Sequence, residues 1–187
     1  KRMMAFPLVK VLKTKAAYVE DKRELGNGWT ANLGTRYEHH NTFGGDWASH
    51  IGLKKKTRMK NTHAYISWGQ AVNNPTLKML YANSPYWIGN PDLKQEKSHT
   101  VTLGIDSQVS DRLLVSASIY ESKLKDALDW VWDTSISKTV YYNVNKEKRQ
   151  GLNLSATYKI GRCFGKLRAS YNFLRQRVDT GSGMTND

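Results

Sequence analysis

Apolar and polar side chains alternate with a period of two over most of this chain, and that regularity limits it to β-structure. Successive side chains of a strand point to opposite faces, so alternation sorts each segment into two kinds of surface. In residues 29–37, Trp29, Ala31, Leu33, Thr35 and Tyr37 share one face, against Thr30, Asn32, Gly34 and Arg36 on the other. Thr62, Ala64, Ile66 and Trp68 oppose His63, Tyr65, Ser67 and Gly69 in the same way. Leu152, Leu154, Ala156 and Tyr158 oppose Asn153, Ser155, Thr157 and Lys159, and Leu167, Ala169, Tyr171 and Phe173 oppose Arg168, Ser170, Asn172 and Leu174. The pattern predicts strands near 14–25, 29–38, 48–55, 62–71, 98–107, 113–123, 140–159 and 167–177. The first is ambiguous, because Lys15, Asp21 and Arg23 share parity with Ala17 and Val19. Helical content is expected to be low, with one short candidate, 76–81, following Pro75.

The connections add a second regularity. Gly26-Asn27-Gly28 is a tight hairpin turn, followed by a longer connection from His39 to Trp47. A short basic turn near 56–61 precedes the longest connection, Val72 to Lys97, which holds Pro75, Pro85 and Pro91. Short turns recur at 108–112 and 160–166, with long loops expected at 127–139 and after Arg177. Antiparallel strands place alternate connections at opposite ends, so one end would carry short turns and the other long loops, as in an outer-membrane β-barrel. A lipid-facing apolar band with aromatic residues at its ends and a polar lumen produces the observed faces. A soluble β-sandwich with polar outer faces also fits the alternation, while the aromatic strand ends and the short-long rhythm favour the barrel.

Composition excludes some classes and leaves others open. The longest apolar run, Met3 to Val9, falls far short of the roughly 20 residues of a membrane-spanning helix. A polar average does not argue against a barrel, whose strands show lipid only every second side chain. The formal charge of +13, from 29 Lys and Arg against 16 Asp and Glu, permits anionic partners, but only Lys54 to Lys60 forms a dense block, at a turn. Cys163, the one cysteine, excludes an internal disulfide and a cysteine-rich zinc module, and its place in a short turn makes it incidental. Lys1 to Pro7 lacks the apolar core of a secretory signal, which fits an excised fragment as well as a cytoplasmic protein.

Short motifs run in a particular order along this framework. Gly34-Thr35-Arg36-Tyr37 closes a strand; Ser67-Trp68-Gly69-Gln70-Ala71 leads through Pro75-Thr76-Leu77 to Leu80-Tyr81. Asn90-Pro91-Asp92-Leu93-Lys94-Gln95-Glu96 then feeds the strand at Thr100 to Asp106, with Pro91 fixing a turn that the Asp92 side chain is expected to cap. Tyr142-Asn143-Val144-Asn145 precedes Gly151-Leu152-Asn153-Leu154. In this order the motifs resemble the late barrel of TonB-dependent outer-membrane receptors. Gln95 stands where the family has a second proline, and Val72-Asn73-Asn74 replaces a more typical aromatic-basic stretch.

The resemblance implies an all-β, antiparallel transmembrane barrel segment of about eight strands, a partial barrel where family barrels have about 22. It places residues 1–187 in the C-terminal half of a single barrel domain, with the plug domain, the energy-coupling box and the C-terminal strands outside the chain. The whole receptor would sit in the outer membrane of a Gram-negative-type bacterium and contact its lipid. It would bind a scarce nutrient, such as a ferric siderophore, haem or cobalamin, and import it with energy from the TonB complex acting through the plug. No cofactor or resident metal is implied.

No catalytic constellation accompanies this reading: there is no Gly-x-Ser-x-Gly elbow and no His-Glu-x-x-His motif, so an enzyme is not expected. Large amphipathic rings on loops suit a hydrophobic or macrocyclic ligand, which makes Tyr81, Tyr86 and Trp87 candidates, with Trp132 in the next long loop; packing between loops or an aromatic girdle, nearer for Trp130, is the structural alternative. His39 and His40 could meet haem iron or a metal-loaded ligand, although adjacent side chains in extended chain diverge, which favours a polar loop tip. Two other functions compete with uptake. A complete eight-stranded outer-membrane barrel could serve adhesion or structure. A soluble basic β-protein binding nucleic acid through Tyr and Trp platforms would need basic and aromatic residues together on one sheet face, which the alternation separates, so no nucleic-acid partner is expected.

Overall fold

The computed structural model describes residues 10–161, 165–179 and 184–186. Eight long strands dominate: β1 Thr14–Gly26, β2 Trp29–His40, β3 Gly44–Lys56, β4 Thr62–Asn73, β6 Glu96–Gln108, β7 Leu113–Asp133, β8 Lys138–Lys159 and β9 Lys166–Asp179. A short helix, α1 Leu77–Tyr81, and a two-residue strand, β5 Trp87–Ile88, lie between β4 and β6, and β10 Met184–Asn186 follows β9. The long strands pair antiparallel in chain order, β1-β2-β3-β4-β6-β7-β8-β9-β10, while β5 pairs parallel with β8. Cys163 lies outside the described residues, as does the apolar run Met3 to Val9.

Each expected strand is present, and the differences lie at the ends. The β1–β2 hairpin turns through Asn27 and Gly28, both at positive φ (50° and 76°), the backbone that a two-residue hairpin requires. The connection expected to be long at His39 to Trp47 is a turn of residues 41–43, because β2 runs on to His40 and β3 begins at Gly44. Asn41 ties this turn to the residue before β1, its Oδ1 accepting from the Lys13 N–H at 2.9 Å and its own N–H donating to the Lys13 carbonyl at 3.0 Å. The loop expected at 127–139 is likewise mostly strand: β7 and β8 stay paired up to Asp133 and Lys138 as a projecting hairpin. The helical candidate is α1, with Thr76 as its N-cap accepting from the Met79 N–H at 3.3 Å.

Exposure separates the barrel from the soluble sandwich. Leu33, Leu103, Ile119, Phe173 and Leu167 are 51–62% exposed on one face of the sheet, and no second sheet covers them among the described residues. A contiguous apolar surface of this kind requires a non-aqueous neighbour. Opposite it, β6 places Ser98, Thr100, Thr102 and Gly104 on a more enclosed polar face, with the Tyr65 ring over Gly104 and the Tyr120 ring over Gly151.

Directly opposed residues form rows across the sheet, and the apolar band drifts relative to them. One row runs Leu33, Ile51, Trp68, Val101, Glu121, Gln150, Arg175. On β2 and β3 the band reaches two pairs above that row, to the partners Tyr37 and Trp47, whereas on β7, β8 and β9 it stops one pair below, at Ile119, Leu152 and Phe173. A level band crosses the rows in this way when the strands are inclined to the membrane normal, as barrel closure demands. No helix among the described residues is long and apolar enough to cross a membrane, which leaves strand crossing unaffected.

Candidate functional site at the loop-bearing end

Residues 74–95 form an ordered lobe that docks on the projecting β7–β8 hairpin. Leu80, Leu93 and Tyr141 are its buried centre, with Met79, Trp87, Phe43 and Leu128 packed around them. Burying a large apolar side chain contributes roughly 1.5–3 kcal/mol, so two leucines and the ring of Tyr141 suffice to hold a short, otherwise marginal helix in place. Lys78 sits 3.8 Å from the centre of the Trp87 ring, whose other neighbours are Tyr141, stacked at 5.5 Å, and Trp130 at 6.4 Å.

Polar contacts fix the register of this docking. Asn90 donates from Nδ2 to the Tyr141 carbonyl at 3.0 Å, and its Oδ1 accepts from the Asp92 N–H at 3.0 Å. The turn is therefore capped by Asn90, and Asp92, expected in that role, is exposed; an acceptor at the residue before proline reaches the N–H two positions on, as in an Asx turn. Asn143 accepts from the Lys94 N–H at 2.8 Å and donates to the Lys94 carbonyl at 3.1 Å and to the Asp126 carbonyl at 2.7 Å. Two motifs separated in sequence thus clamp each other.

The base of the lobe is tied to the barrel wall. Gln95 donates to Asn74 Oδ1 at 2.7 Å, joining the last and first residues of the connection, a bond that a proline at position 95 could not make. Asn74 donates to Glu38 at 3.4 Å, and Glu38 is held by Arg36 at 2.8 Å. A cavity of about 150 Å³ is lined by Arg36, Glu38, His40, Asn74 and Gln95. At the hairpin tip the Ser135 hydroxyl, followed by the Ser135 N–H, holds the Asp133 carboxyl below its ordinary pKa.

The ring and imidazole candidates occupy different places. Tyr86 is 68% exposed, Trp132 48% and Tyr81 38%, so these three present aromatic surface at the loop-bearing end. Trp87 is half-buried in the lobe. Trp130 and Trp132 belong to β7 rather than to a loop. His39 and His40 are the last residues of β2, not a loop tip: His39 is exposed, while His40 is buried, accepts from the Thr42 N–H through Nδ1 at 3.1 Å and lies against Phe43. No group of three or more metal-binding side chains exists among the described residues. Sequence reasoning missed Asn143 and Gln95, and the one available signal was the position of each within a motif.

The fold is a section of an antiparallel transmembrane β-barrel with a lobe packed at one end, and comparison with known proteins gives the family. The family model for the TonB dependent receptor-like β-barrel matches residues 9–187, and the chain belongs to that family. Family members are transporters and not enzymes. The chain is 25% identical over 183 residues to a hemin receptor of Yersinia pestis, covering 83% of this chain and 27% of that protein. It is 26% identical over 167 residues to the vitamin B12 transporter BtuB of Vibrio vulnificus (strain YJ016), covering 88% and 26%. The chain thus spans about a quarter of the length of these relatives. The siderophore receptor PirA from Pseudomonas aeruginosa superposes with a TM-score of 0.68 at 20% identity, over 89% of this chain and 34% of that one. The copper transporter OprC gives 0.72 at 18% identity, over 89% and 28%. At these identities the structural likeness establishes the fold.

Proposed function

We propose that this chain forms part of the wall and the outward-facing mouth of an outer-membrane uptake receptor for a scarce nutrient, a ferric siderophore, haem or cobalamin. Residues 1–187 are then one section of a single barrel domain in its C-terminal half, in contact with outer-membrane lipid. A plug elsewhere in the receptor couples transport to the TonB complex. The observation that carries this reading is the ordered lobe 74–95, fastened to a projecting hairpin and presenting Tyr86, Tyr81 and Trp132 at the end opposite the short turns. Rigid rings on a fixed support bind a large, partly hydrophobic ligand at low entropic cost. The relatives' names, a hemin receptor and a vitamin B12 transporter, support the substrate range.

Ligand titration of the full-length receptor tests it. Tyr86→Ala with Trp132→Ala is expected to weaken binding of the transported member of the three classes by about thirtyfold, the equivalent of about 2 kcal/mol for loss of a well-packed aromatic contact. The barrel should retain its heat-modifiable migration. Unchanged affinity, or no binding of any of the three classes by the unsubstituted receptor, counts against the reading. His39→Ala is expected to matter only for haem.

A further inference from the structure

The outer face of the sheet changes character abruptly above the apolar band on β6 to β8. Lys125 and Lys146 are direct cross-strand partners, and the next row down pairs Lys123 with Lys148. Like charges placed opposite each other on one face are mutually destabilising. Glu121, one row lower, serves both members of the second pair, at 2.9 Å from Lys148 and 3.7 Å from Lys123. Neither Lys125 nor Lys146 has a salt bridge among the described residues; Asp179 faces Lys146 from β9, and Arg177 faces Lys148. Lys97, the partner of Lys125 on β6, is already held by Asp46 at 2.5 Å. At the same height Leu124, Glu147 and Val178 are buried on the inner face, and the register keeps the four lysines on the face of Leu103 and Ile119.

Directly below these rows the outer face is hollowed. An open groove of about 510 Å³ runs over Val101, Leu103, Ile119, Leu152 and Phe173 and is bordered at its upper end by Glu121, Gln150 and Arg175. An apolar groove capped by a surplus of positive charge matches one amphiphile in shape and in charge.

We propose that the outer face of β6 to β9 binds a lipid with an anionic, phosphate-bearing headgroup, its acyl chain in the groove and its phosphate on Lys125 and Lys146. The headgroup supplies counter-charge to a row that sets two lysines against the single carboxylate of Asp179, and the chain fills a dent that bulk acyl tails would pack poorly. The site is distinct from nutrient capture and rests only on the membrane placement of the strands.

The test is native mass spectrometry of the full-length receptor, purified in neutral detergent and titrated separately with phosphatidic acid and with phosphatidylcholine of the same acyl chains. Phosphatidic acid is expected to remain bound at least tenfold more tightly than phosphatidylcholine. Lys125→Gln with Lys146→Gln is expected to erase that difference, whereas Lys22→Gln with Lys54→Gln, an equal loss of charge on the inner face, should preserve it. Lys125→Gln alone, expected to reduce the preference at least threefold, serves if the double variant fails to migrate as a folded barrel. Equal binding of the two lipids, equal effects of the inner and outer variants, or displacement of the lipid by inorganic phosphate at matching concentration would each overturn the proposal.

Discussion

Gly89 shows how a single position holds the lobe together. A Cβ built there would lie 2.5 Å from the Tyr81 nitrogen and 2.6 Å from the Ala82 nitrogen, where backbone atoms rather than a movable side chain stand in the way. Gly89→Ala is expected to destabilise the lobe by about 1–3 kcal/mol, a typical overpacking cost, and to raise proteolysis within 74–95 while the barrel keeps its melting midpoint. Gly69→Ala, whose nearest contacts would be 3.7 Å away, should change neither. Trp87 requires different treatment from its neighbour Tyr86. Its ring is enclosed by Tyr141 and Lys78, so Trp87→Ala perturbs packing as well as any ligand contact, and Tyr86 gives the cleaner test. Residue identities were legible in the sequence, but their partners were not: Asn143 meets Lys94 across 49 positions, and no local pattern encodes that meeting.

At the scale of the element, β6 gives the sharpest comparison. Leu103 lies between Ile66 and Ile119 on the exposed apolar face, and Thr102 between Ser67 and Tyr120 on the polar one. Leu103→Arg in the full-length receptor is expected to cost about 2–4 kcal/mol, the price of a charge near mid-membrane, and Thr102→Arg much less. Heat-modifiable folding of the two variants at matched expression checks this, and equal impairment would contradict the assignment of faces. The interiors of the strands followed from alternation because one face of each meets a uniform apolar surroundings. Their upper ends did not. Above the band β7 reads Leu124-Lys125-Asp126-Ala127-Leu128-Asp129, where Asp126 takes a positive φ of 54° and the buried Leu124 and Ala127 break the period of two. With no single apolar environment to face, strand sequence there loses its alternation and resembles a loop.

For the whole molecule, the drift of the band across the ladder rows sets the depth of each tryptophan. Trp29, Trp47 and Trp68 lie on the outer face within or at the edge of the band, while Trp130 and Trp132 stand on the projecting hairpin beyond it. In single-tryptophan versions of the full-length receptor, brominated acyl chains are expected to quench the first three strongly and the last two weakly, with aqueous iodide giving the reverse order. Iodide quenching of Trp68 as strong as that of Trp132 would contradict the placement. By itself the sequence determined the β class, the strand centres, the pairing of neighbours in chain order and the division into apolar and polar faces. Each of these follows from alternation, the glycines of the first turn and short connections, all of them local. Only the tertiary structure decided that the expected loop at 127–139 is a projecting hairpin, that the longest connection is a packed lobe, and that Asn90, Gln95 and Asn143 hold it. The lobe's contacts join residues 21 to 51 positions apart, whose closure cost is met by burial of Leu80, Leu93 and Tyr141 together, and the hairpin extends by pairing whose strand sequence lacks alternation.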